Sequence, residues 1–183
     1  MESHYGATTY PSSAKGQGIG VNEGLSIANQ LKRMLFMMQR ELEGLSDSVL
    51  NQELEIQPTN TLFQLGTHVA GSTRYWAITN LGGEDFHRNR EAEFSAAGEG
   101  KLLLADLDLL IEQTLGLVSP LTAEQLNEPV SLASASISFW PESEPLSRRD
   151  AVLHALEHTG LHVGHAQITR QLLGFPPPGQ DTM

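Results

Sequence analysis

Apolar residues recur at alternating spacings of three and four in separate stretches of the 183-residue chain, the period of helices that bury one face. In the first stretch Ala28, Leu31, Leu35, Met38, Leu42 and Leu45 fall on one side, with Met34 and Met37 as further core filler. Leu62, Leu65, Val69 and Trp76 mark a second helix, read as starting at Thr59 or Asn60 behind Pro58 and stopping at Gly82 and Gly83. Leu103, Leu107, Leu110, Thr114 and Leu117 mark a third, closed by Pro120. The last opens at Ser147, an N-cap with Asp150 three residues on, and ends at Gly174 before Pro176. Its seam is read as His154, His158, Leu161, His165, Ile168 and Leu172, a 4-3-4-3-4 spacing expected to face a core. Helices are therefore predicted near residues 22–45, 59–81, 99–118 and 147–174. Four such helices with no competing strand-rich stretch predict an all-α fold, a four-helix bundle.

The intervening segments carry no such period. Residues 1–21 are rich in Gly, Ser, Thr and Tyr and are read as a flexible arm, with His4 in solvent. The stretch SDSVLNQELEIQPTN reads as a connector. GGEDFHRNREAEFSAAGEG reads as a polar one, in which His87 is expected to be solvated and is given no role. Thr122 with Gln125 reads as a short capped turn, and residues 133–139, ASASISF, as extended chain. Phe139 and Trp140 follow and are expected to cover the open end of the core. Residues 176–183 form a Pro-rich tail outside a bundle of residues 22–175.

Composition narrows the function classes. A chain of this length with 39% hydrophobic residues sustains one core without staples, so one domain is expected. The formal charge of −11 and the lack of clustered Lys and Arg argue against nucleic acid. No apolar run is long enough to span a membrane, and the N-terminus lacks the apolar core of a signal peptide. There is no cysteine, hence no disulfide, thiolate ligand or thiol nucleophile, and the expected location is the cytoplasm.

The candidate chemistry is histidine. Four of seven histidines, His154, His158, His162 and His165, fall within twelve residues of the last helix, where shuffled composition would place about half a residue. Spacings of three and four set them in one stripe, and His68 shares a helix face with Leu65, Ser72 and Tyr75. Each buried imidazole needs partners for both ring nitrogens, and several together rarely find enough neutral ones. A divalent ion solves this for the group. The competing reading is a purely structural bundle whose core histidines are satisfied by water or carbonyls. A metallopeptidase of the H-E-x-x-H type is disfavoured, since Thr159 follows His158 where that motif needs a glutamate. Glu157 is read as an acceptor for a ring N–H of His154 or as a surface ion pair.

The stretches LFQLGTHVAGSTRYW and ALEHTGLHVGHAQITRQLLG resemble the DinB-like family of metal-binding four-helix bundles over residues 25–175. The second-helix pattern H-x-A-x-x-x-x-x-W is met by His68, Ala70 and Trp76. The last-helix pattern H-x-x-x-H-x-G-[HQ] is met by His158, His162, Gly164 and His165. The resemblance implies that His68, His158 and His162 hold one divalent ion, nickel, zinc, iron or manganese, with His154 and His165 outside the ligand set. It also implies a homodimer and an up-down-down-up helix order, with residues 82–100 as a crossover between the second and third helices. The family includes transferases and isomerases that use low-molecular-weight thiols, so a metal-dependent enzyme acting on a small-molecule substrate is expected. A non-catalytic metal-binding stress-response protein is the alternative.

Overall fold

Helix α1 (Glu23–Leu42) starts at Asn22, whose side chain accepts from the Gly24 N–H. In the computed structural model, residues 22–56, 58–82, 86–130 and 145–179 are described, and among them helix is the only extended regular structure. The expected N-terminal arm, the extended 133–139 segment and the Phe139–Trp140 pair lie outside these residues. A single turn, α2 (Asp47–Leu50), interrupts the first connector.

Helix α3 (Leu62–Thr73) begins later than predicted. Thr61 and Gln64 satisfy each other's backbone N–H in a reciprocal cap, and that pair rather than Pro58 sets the start. The helix continues as a π turn over Arg74–Ile78 and a 3-10 turn over Thr79–Leu81, then stops at Gly82 with φ 88°. The extra residue per turn in the π segment lets Tyr75, Trp76, Ala77 and Ile78 all be buried. The polar connector carries α4 (Arg90–Glu93), followed by α5 (Gly100–Val118) and the capped turn α6 (Ala123–Leu126). Ser147 and Asp150 form the predicted cap of α7 (Arg148–Leu172).

Pairings at the helix ends give the directions. Arg149 bonds Glu23 at one end and Arg170 donates to the Glu41 carbonyl at the other, so α1 and α7 run the same way. Asn22 donates to the carbonyl of Ser119, just past α5, so α5 runs against α1. Gly66 lies against Leu103 while Arg74 reaches Asp106, so α3 and α5 run together and the connector between them travels back along the bundle.

The core faces of α1, α3 and α5 are close to those read from the pattern: Ala28, Leu31, Leu35, Met38, Val69, Leu107 and Leu110 are fully enclosed, and Val118 takes the place given to Leu117. For α7 the predicted seam is wrong. Leu161, Ile168 and Leu172 are 58%, 59% and 54% exposed, and the buried face is Ala151, Val152, Ala155, Thr159, Val163, Ala166 and Thr169. At about 100° per residue the helix is turned by roughly a third of a turn from the expected phase. Small side chains let α7 sit close to α1 and α3, an approach that a row of leucines would prevent. The histidine stripe consequently lies along the edge of the buried face, not in its middle.

Candidate metal centre

Helix α3 brings His68 in from one side, with only 2% of its surface exposed, and α7 brings His158 and His162 from the other, one turn apart. His68 Nε2 lies 3.1 Å from His158 Nε2. The His162 ring centroid is 4.7 Å from that of His68 and 4.5 Å from that of His158. One ring nitrogen from each of the three lies within 4.8 Å of the other two, a spacing at which three imidazoles can hold a metal ion. His154 and His165 stand outside this group. His154 turns its ring against Trp76 at 4.6 Å, and His165 is exposed with Nδ1 3.3 Å from His162 Nδ1.

Burial, followed by the charges of its histidine neighbours, holds the pKa of His158 down to about 3, and the same causes hold His162 at about 4. Both are neutral near pH 7, with lone pairs free for a cation. Nε2 atoms of two neutral imidazoles cannot both face each other bare at 3.1 Å: one must carry a proton between them, or both must turn their lone pairs to an ion. The donor set fits a divalent cation in that second way. His158 Nδ1 is buried without a hydrogen-bond partner among the described residues.

His68 is backed by groups the sequence reading did not assign. Glu93, on α4, places Oε2 2.7 Å from His68 Nδ1, and Arg88 donates from Nε to Oε1 at 2.8 Å and from its terminal nitrogen to Oε2 at 2.9 Å. Burial raises the Glu93 carboxyl's proton affinity, but the hydrogen bonds from His68 and Arg88 and the Arg88 charge outweigh it, so the group stays below its ordinary value and ionised. The Phe94 ring lies 4.4 Å from the His68 ring. The polar connector is therefore one wall of the site. Glu157, by contrast, is exposed, and its charge only partly offsets the burial that lowers the His154 pKa. Beside His158 opens a cavity of about 590 Å³, lined by Trp76, Leu146, Leu153, Leu161 and His154, with Asp150 and Glu157 at its polar side.

A family profile described as the DinB superfamily matches residues 30–166, well over half of the chain. The chain belongs to the DinB superfamily. Among solved structures, the crystal structure of a conserved protein from Enterococcus faecalis is similar in fold, with a TM-score of 0.59, 18% sequence identity, and coverage of 83% of this chain and 97% of the other. No curated protein matches the chain. No described helix of this DinB-superfamily chain is long and apolar enough to cross a membrane.

The neutral histidines tie stability to pH. Their folded-state pKa values lie below the ordinary 6.5, so between about pH 6.5 and pH 4 the unfolded chain takes up protons that the folded one refuses. Metal-free protein should lose about 2 kcal/mol as the pH falls through that window, after allowance for partial exposure, or roughly 6 °C in Tm. Differential scanning calorimetry of wild type and a His158→Gln/His162→Gln variant at pH 7 and 4.5 tests this. Equal pH-dependent losses in both proteins would refute the assignment.

Proposed function

We propose that this DinB-superfamily chain is a cytoplasmic metal-dependent enzyme in which His68, His158 and His162 hold one divalent ion, nickel, zinc, iron or manganese. The reaction is the transfer or isomerisation of a small molecule with a low-molecular-weight thiol. The observation that carries this reading is the displaced phase of α7, which sets His158 and His162 at the edge of the buried face opposite His68, with His158 lining a cavity of about 590 Å³. Three protein ligands beside an open space are the arrangement of catalytic sites, whereas structural sites close with a fourth. A bound ion would lower the pKa of a thiol or water reaching it.

The chain's own residues would do the rest. Trp76, Leu146, Leu153 and Leu161 give the cavity an apolar wall that excludes water from a bound organic group. His154, kept neutral mainly by burial, lines the cavity and is suited to accept a proton there. The charged lining residues are Asp150 and Glu157, with no Lys or Arg among the described ones, which favours a neutral or amine-bearing thiol over a polyanionic one.

The test is the visible spectrum of the cobalt-substituted protein titrated with cysteamine, cysteine and glutathione. Cysteamine should perturb the cobalt bands at concentrations about tenfold below those needed for glutathione, about 1.4 kcal/mol of discrimination. Bands that never move with any thiol or with azide would mean a closed shell and would favour the non-catalytic stress-response reading.

A further inference from the structure

We propose that Glu93 is the orienting residue of the metal centre: it fixes His68 in the tautomer that leaves Nε2 bare, and Arg88 and Gly71 exist in this arrangement to hold it there. The inference rests on the three-histidine reading above and adds to it a fourth residue, from the connector, that does not touch the ion.

Three observations converge on it. The first is burial: Glu93 is 6% exposed, and a carboxylate enters a core only when its oxygens are satisfied. Both are, since Arg88 forks across Oε1 and Oε2 while Oε2 also meets His68 Nδ1 at 2.7 Å.

The second is donor bookkeeping at Nδ1. An ionised carboxylate only accepts, so the 2.7 Å contact requires a proton on Nδ1, and a ring carrying that one proton presents a bare Nε2 to His158 Nε2. Arg88 also lies 3.4 Å from Nδ1, but a protonated nitrogen cannot accept, so that approach is proximity and the Arg88 hydrogen bonds belong to Glu93.

The third is a notch in α3. A Cβ on Gly71 would sit 2.2 Å from Glu93 Oε1 and 2.8 Å from its Cδ, so the space a side chain would fill at position 71 is taken by the carboxylate. Glycine is a poor helix former, and here its bare backbone gives access to the back of a ligand one turn away. A plain Arg88–Glu93 staple holding the connector would need neither the 2.7 Å contact nor the notch.

Carboxylates behind a ligating histidine typically change metal affinity by about 10- to 100-fold. Two readouts decide the question, zinc affinity by competition with a chromogenic chelator and the His68 tautomer by long-range proton–nitrogen NMR of protein labelled with nitrogen-15 at histidine. In wild type the His68 Nδ1–H form should dominate with and without zinc. Glu93→Ala should mix the tautomers and weaken zinc binding by about 10- to 100-fold, and Glu93→Gln, which keeps an acceptor oxygen, should recover most of both. Gly71→Ala, which displaces the carboxylate without removing it, should move both readouts in the direction of Glu93→Ala and keeps the test alive if that variant does not fold. A folded Glu93→Ala or Gly71→Ala protein with wild-type tautomer and zinc affinity within twofold overturns the proposal. Zinc that fails to bind wild type overturns the three-histidine reading instead, while the tautomer of the metal-free variants still reports whether Glu93 orients His68.

Discussion

Replacing His158 by alanine is expected to weaken zinc binding by about a thousandfold, and His162→Ala by a similar factor. Apparent binding energies of zinc sites are about 10–16 kcal/mol, so one of three protein ligands carries about 4 kcal/mol, or three decades of affinity. His158 and His162 enter that balance in their neutral forms, so near pH 7 no proton need be displaced from either. The sharper expectation is the contrast within one helix. His154→Ala and His165→Ala should each change zinc affinity by less than about fivefold, since one packs against Trp76 and the other is exposed beyond His162. Chelator competition on protein without an affinity tag reads all four variants on one scale. A His165→Ala loss equal to that of His158→Ala would mean a closed four-histidine shell, and the open-site reading would fall with it.

That contrast also shows how much of the site was legible in the chain. Helical geometry is local, so spacing alone put His158 and His162 one turn apart and gave His68 the same face as Leu65 and Ser72. The phase of α7 is not legible there, because its leucines and isoleucine carry the strong hydrophobic signal whereas Ala151, Ala155, Thr159 and Ala166 are the residues buried. Small residues carry a weak hydrophobic signal yet decide how close two helices come. Yet without that displaced phase the cavity beside His158 would lie under protein.

Glu93 was invisible for a different reason. Its partner His68 lies 25 residues away across a stretch with no period, and no local rule joins an acidic residue in a polar connector to a histidine inside a helix. Gly71 was the one trace in the sequence, a mid-helix glycine that says something approaches the backbone without saying what. The start of α3 had a readable signal in Thr61 and Gln64, which outweighed the proline ahead of it. Local signals thus gave the four long helices and the spacing of the histidines along them, while the connector's role depended on packing between segments distant in sequence.

Arg170→Met is expected to destabilise the bundle by about 3 kcal/mol and lower Tm by roughly 6–12 °C, without changing zinc affinity by more than a fewfold. Arg170 is 8% exposed, and its guanidinium bonds main-chain carbonyls: Pro176 at 2.8 Å, Glu41 at 2.8 Å and Glu43 at 3.4 Å. The last two are carbonyls at the C-terminal end of α1, where a helix leaves its acceptors unpaired and its dipole negative. One side chain thus joins the ends of α7 and α1 to the proline segment, which Arg40 also holds through the Pro178 carbonyl. Arg170→Lys should recover less than half of the loss, because a single ammonium cannot span carbonyls on both sides of a planar fork. The loss should also depend on pH through Glu41, whose buried carboxyl is pushed up by desolvation against a hydrogen bond from Gln167 and the charge of Arg170. A carboxyl raised in the folded state is tolerated when protonated and costs stability as the pH rises through its pKa, and removing Arg170 enlarges that cost. The gap in Tm between wild type and Arg170→Met should therefore be wider at pH 7 than at pH 4. A gap that is the same at both, or full rescue by lysine, would mean that Arg170 acts only by filling space.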